Sequence, residues 1–167
     1  ETCVAWGAEV SFGKTKWMHI TNRARENLAE LKVRDTVIER VHAFVYLGSL
    51  VTDSYSLGAV EDASRRVSEA SKVFGRMKPI WKSNGLSRSV KKRLFIVCVT
   101  TALFFGAENS VWPSSAVRIV HNFYYRCIRS ILRLSWQRVR EERITNERAA
   151  QMLGVPDWKV IVGRRHA

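Results

Sequence analysis

Val117-Arg118-Ile119-Val120-His121-Asn122-Phe123-Tyr124-Tyr125-Arg126-Cys127-Ile128-Arg129-Ser130-Ile131-Leu132-Arg133-Leu134 is the most informative stretch of the chain. At 100° per residue, Arg118, Asn122, Arg126, Arg129 and Arg133 fall within an arc of roughly 80°. Val117, Val120, Phe123, Tyr124, Cys127, Ile128, Ile131 and Leu134 take the opposite side. The spacing predicts a helix, running to about Leu134, with one face in a core and the other showing a row of guanidinium groups.

The same period extends upstream. Val60, Ala63, Val67, Ala70, Phe74 and Met77 step by three and four, the stripe of a long amphipathic helix from Gly58, and Pro79 ends it. Trp81 to Gly85 reads as a loop. Ser87 is a plausible N-cap for a second helix, Arg88 to about Gly106, whose apolar middle places it at the centre of a bundle. After the third helix, Arg138 to Arg143 reads as a solvated charged connector. A short helix follows from Thr145-Asn146-Glu147 to Gly154, and Pro156-Asp157 begins another.

The first third reads as strands. Val10 to Phe12 and Trp17 to Ile20 flank Gly13-Lys14-Thr15-Lys16 as strand, turn and strand. Leu28 to Val33 and Val37 to Val41 form a hairpin about Arg34-Asp35-Thr36. Phe44 to Thr52 is aromatic and β-branched around Gly48, where a bulge or a close approach to the backbone is expected. The fold class that follows is α+β and mainly helical: a small antiparallel β region over residues 1–57, then a bundle of about five helices over 58–167.

Charge follows the same division. The chain has 167 residues, a net charge of +13 and a sequence pI near 10.3. Residues 1–57 hold 7 Lys+Arg and 7 Asp+Glu; residues 58–167 hold 21 against 8, the whole excess. One basic half points to a polyanionic partner. Hydrophobic residues at 46% argue against disorder. The longest apolar run, Leu94 to Ala107, is shorter than the roughly 18 residues of a membrane span and fits a buried helix, so no membrane is expected. The first residues do not read as a signal peptide, and none is expected. It starts inside an apolar stretch and stops after Gly163-Arg164-Arg165 in what reads as an unfinished helix, so a fragment truncated at both ends is expected.

Catalytic chemistry is not legible. Cys3, Cys98 and Cys127 are scattered and odd in number, and His19, His42, His121 and His166 stand singly, which argues against a disulfide framework or a zinc site. Glu61-Asp62 and Glu141-Glu142 are neighbours that point about 100° apart on a helix, poor ligands for paired metals and better read as solvated charge. The basic residues carry the candidate chemistry. Arg65, Lys72 and Arg76 lie on the first helix, where Glu69 interrupts them; Arg88, Lys91, Lys92 and Arg93 open the second; Arg118, Arg126, Arg129 and Arg133 line the third. Each set alone also fits a solvated helix face. Three helices with the same unneutralised sign favour phosphate binding, for which the arginine fork is suited.

Order and spacing add a resemblance. Gly13-Lys14-Thr15-Lys16-Trp17-Met18 resembles the G/S-K-T-K-x-M strand of non-LTR retrotransposon (LINE/RTE/jockey-like) reverse transcriptases, and Phe44-Val45-Tyr46-Leu47-Gly48-Ser49-Leu50 their F-x-Y-L-G-S-x hairpin. Lys92-Arg93-Leu94-Phe95 and Phe105-Gly106-Ala107-Glu108 are similar to the K-x-R-L-Y and L-Y-G-A-E-T-W segments of the thumb. Trp112 comes three residues late because Asn109-Ser110-Val111 departs from the pattern. Phe123 to Leu132 is similar to F-x-x-R-C-L-R-x-I-L, and Trp136, Thr145-Asn146-Glu147 and Arg164-Arg165-His166 complete the series.

The resemblance implies the end of a palm, a primer grip and a thumb that holds a template–primer through shape and phosphates. Tyr46, Leu47 and Gly48 would form the grip, with Phe44 and Tyr46 bracing a turn bare enough for a sugar-phosphate to approach, and Lys14 would lie near the incoming nucleotide. The family's Y-A-D-D aspartates precede the K-T-K strand, so the chain is expected to contain no catalytic and no metal-binding residue and to be no enzyme alone; Mg2+ belongs to the complete polymerase. RNA, RNA–DNA hybrid or DNA, and the upstream palm and fingers of the same polyprotein, are the implied partners. The implied location is intracellular, with the nucleus favoured. A free-standing basic helical module binding nucleic acid or protein, or a non-functional retroelement remnant, are the alternatives.

Overall fold

A computed structural model describes residue 7 and residues 11–20, 29–33, 35–46, 48–107 and 111–163. Among the described residues three two-stranded sheets lead into a mainly helical body. Strand β1 (Lys16–Trp17) pairs in parallel with β4 (Glu39–Arg40), β2 (Lys32–Val33) pairs antiparallel with β3 (Thr36–Val37), and β5 (Ala43–Tyr46) pairs antiparallel with β6 (Ser49–Thr52). The hairpins expected about Asp35 and Gly48 are present. Of the strand, turn and strand expected about Gly13 to Lys16, Val10 lies outside the described residues; the turn is present, with Ser11 accepting from the Lys14 and Thr15 amides, and Lys16–Trp17 pairs with residues 23 positions downstream. The Lys16 ammonium paired with the Glu39 carboxylate and the Trp17 indole donating to the Ile38 carbonyl (3.1 Å) hold that register.

Helix α1 (Tyr55–Arg76) begins three residues before Gly58. Its expected stripe faces inward: Ala63 and Ala70 are fully buried, and Val60, Val67, Phe74 and Met77 pack against the core. Pro79 does not open a loop. It sits in the first turn of a short helix α2 (Lys78–Lys82), where its missing N–H costs nothing. Ser87 caps α3 (Arg88–Leu94) by accepting from the Val90 amide. The expected long second helix is interrupted: a π-helical turn, Phe95–Thr100, joins α3 to α4 (Thr101–Phe104). The Thr100 hydroxyl donates to the Ile96 carbonyl (2.5 Å), satisfying an acceptor that the widened turn displaces.

Helix α5 (Ser114–Ile131) is the centre of the body. Val120, Phe123, Tyr124, Cys127 and Ile128 meet Phe95, Val99, Leu103 and Phe104, all buried. Each such side chain contributes about 1.5–3 kcal/mol by leaving water. Cys98 and Cys127 are free thiols, and burial pushes the Cys127 thiol up to about 12. The helix stops at Ile131, short of Leu134, because Arg133 turns left-handed (φ 55°) and the Leu134 amide bonds back to the Arg129 carbonyl. The charged stretch after it is not an open connector but helix α6 (Trp136–Glu141), capped by Ser135. Helices α7 (Asn146–Leu153), capped by Thr145 and stopped by left-handed Gly154, and α8 (Trp158–Gly163) follow. Among the described residues no helix is long and apolar enough to cross a membrane.

Candidate nucleic-acid interface

Two adjoining grooves run along α5. The first, about 680 Å³, lies between α1, α5 and α6; Asn122, Arg126, Arg129 and Trp136 line it over a floor that includes Val67 and Phe123. The second, about 530 Å³, lies between α1, α2 and α5 and is lined by Phe74, Gly75, Lys78, Trp81, Lys82, Ser130 and Arg133. Ser130 lines both, so the two grooves are neighbours along α5 and together make the trough. Among the described residues five cations line it, Lys78, Lys82, Arg126, Arg129 and Arg133, and no carboxylate does. Packing is the local cause. Phe74 stacks on Trp81 at 5.2 Å, which fixes α2 against α1 and sets Lys78 and Lys82, one helical turn apart, on the rim.

The structure sorts the expected contacts by what their charges already touch. Arg118 and Arg126 are exposed, with the Arg126 guanidinium 5.5 Å from the Phe123 ring centre. Arg129 donates to Asn146 Oδ1 (2.5 Å) and lies 5.7 Å from the Trp136 ring centre. Arg76 and Arg88 are exposed, and Lys72 pairs with Glu69 at 2.7 Å. Lys92 lies along Gly154 at the C-terminal end of α7, where helix carbonyls favour a cation.

Three expected contacts need correction. Lys91 is buried, and its ammonium donates to the carbonyls of Trp81 (3.0 Å) and Ser83 (2.6 Å), closing the loop after α2. Arg65 donates to the Gly48 carbonyl and to Asp62 Oδ1, so it braces the hairpin. Arg133 donates to Asn84 Oδ1 (2.9 Å) and the Lys82 carbonyl, since its left-handed backbone swings the side chain toward α2. It lines the trough as a strut more than as a free charge.

The hairpin also differs from expectation. Gly48 is left-handed (φ 85°), but its bare face is not open: an added Cβ would lie 3.0 Å from the Phe105 ring. Tyr46 and Phe44, expected to brace the turn, are 62 % and 46 % exposed, and Phe44 lines a pocket with Trp17 and Val41. Leu47 lies outside the described residues, as do Glu108 and Arg164 to His166. Lys14 is exposed and lines a pocket with Trp17, Val41 and Phe44, none of which lines the trough.

Asp62 is the largest departure. Rather than solvated, it is buried, accepting from the Leu50 amide (2.8 Å), Arg65 and Arg66 Nε (2.5 Å). Arg66, also buried, continues to Ser49 Oγ (3.0 Å) and the Phe105 carbonyl. Asp62 to Arg66 spacing of four on one helix is the signal that points to this pair. With both oxygens so engaged, Asp62 does not fit a metal ligand, and among the described residues no three His, Cys, Asp or Glu side chains converge. Lys78, Lys82 and Trp136 are the trough residues that sequence reasoning missed: the lysines fell next to an assumed break, and an isolated tryptophan carries no period.

No family model, curated protein or solved structure matches the chain.

Proposed function

We propose that this chain is the template–primer-binding part of a non-LTR retrotransposon-type RNA-directed DNA polymerase, a thumb-like body that is not catalytic by itself. The observation that carries the reading is the trough along α5, with five cations and no carboxylate among its lining residues. Such a lining holds a sugar-phosphate backbone without reading bases, since each neutralised phosphate releases a counterion. The ordered motif resemblance supplies the identity of the polyanion as RNA or an RNA–DNA hybrid. The Tyr46 to Gly48 turn is the proposed primer grip. Its carbonyl is fixed by Arg65, and the exposed rings of Tyr46 and Phe105 are the surface it would offer.

Binding of a blunt RNA–DNA hybrid measured across salt concentration tests the reading. Engagement of about 4 to 6 phosphates gives a log–log slope of roughly −3 to −5 with little sequence preference. A flat salt dependence, or strong preference for one sequence, contradicts it.

A further inference from the structure

Trp136 is 74 % exposed, although it is among the largest apolar side chains, and it lines the first groove. Its ring is not free to wander. The Arg129 guanidinium lies 5.7 Å from the ring centre, and Asn146 Oδ1 holds Arg129 at 2.5 Å. Asn146 is itself held: because arginine can only donate, its oxygen faces Arg129, so its amide nitrogen faces His121 Nε2 (3.0 Å) and the imidazole accepts there. His121 in turn packs against Tyr125, the rings tilted by 56° with their centres 4.8 Å apart. A chain of fixed groups thus runs from the core to one side of the indole and leaves the rest of the ring to solvent.

We propose that the free face of Trp136 stacks an unpaired base, so that the trough binds a junction between duplex and single strand in preference to blunt duplex. The inference rests on the nucleic-acid reading of the trough and narrows its substrate. A base within a duplex has both faces covered by neighbours, whereas an unpaired base has a face to give, and stacking on an exposed aromatic ring is sequence-tolerant. Arg126, also lining this groove, is the cation for the phosphate next to that base. Arg129 is a positioning residue for the ring.

The test compares a blunt RNA–DNA hybrid, the same hybrid with an unpaired extension, and the hybrid with an abasic extension of equal length, by fluorescence anisotropy. The extension should tighten binding about tenfold, the worth of one stacked base, and the abasic extension should not. Trp136→Ala should abolish the advantage of the normal over the abasic extension, while Trp136→Phe should retain most of it. Equal affinity for the normal and abasic extensions overturns the inference, even if the alanine variant fails to fold, and leaves the trough as a phosphate site. Failure of every hybrid to bind overturns the nucleic-acid reading itself.

Discussion

Asp62 and Arg66, one helical turn apart on α1, form a buried ion pair at 2.5 Å that joins the β5–β6 hairpin to the end of α4. Removing one partner leaves the other charge buried and uncompensated, so Asp62→Ala should cost about 3–5 kcal/mol in denaturant unfolding. Glu61→Ala, on an exposed neighbour, should stay within about 0.5 kcal/mol. Equal effects would mean that the pair does not hold the hairpin.

Two helices end on arginines in the left-handed region, Arg133 (φ 55°) and Arg143 (φ 46°), where glycine is the unstrained residue. Arg143→Gly should therefore stabilise the protein by about 0.5–1 kcal/mol. Arg133→Gly should show no such gain, because it also deletes the bonds to Asn84 and the Lys82 carbonyl. Thermal unfolding of the two variants side by side decides this.

Burial raises the Cys127 thiol from its ordinary 9 to about 12, and burial with the neighbouring Asp157 raises the Tyr125 phenol. The unfolded chain releases these protons at lower pH than the folded one. The stability they contribute is present below about pH 9 and is lost as pH rises through the folded values, at about 1.4 kcal/mol per pH unit for the thiol. Cys127→Ser should flatten that alkaline limb between pH 9 and 12. An unchanged limb rules the thiol out as its source.

The apolar stripes of α1 and α5, the caps at Ser87 and Thr145 and the stop at Gly154 were legible, because each depends on residues within a turn or two of one another. The sorting of cations was not. Period places Lys91 on a basic face, yet it is buried against two carbonyls, one in the last turn of α2 and one just after it, and those acceptors lie 10 and 8 residues away. Arg133 shares an arc with Arg126 only while the helix continues, and the helix stops between them. The parallel pairing of Lys16–Trp17 with Glu39–Arg40 involves two residues a side, too few for any alternation to show. Asp62 was misread for a different reason: a carboxylate early in a helix fits solvent as well as burial, and only the hairpin above it distinguishes the two.

The chain should not extend a primer with Mg2+ or Mn2+. No Y-A-D-D string occurs in the sequence, and the oxygens of Asp62 are taken by Leu50, Arg65 and Arg66. Extension by highly purified protein, abolished by an Asp or Glu substitution within residues 1–167, would refute this.

The trough is tested most directly by the salt dependence of hybrid binding with Lys78 and Arg126 both changed to Gln. Both side chains are exposed on its lining, so the double variant should unfold at nearly the wild-type temperature. Its log–log slope should be shallower by roughly 2, one for each lost phosphate contact. The control, Arg138→Gln with Arg140→Gln, lies on α6, where Trp136 and Val139 line the groove but these two arginines do not; Arg138 is already paired to Glu142 at 2.6 Å, and the slope should move little. A slope unchanged in the Lys78 and Arg126 variant, or lowered equally in the control, would contradict the trough as the nucleic-acid grip.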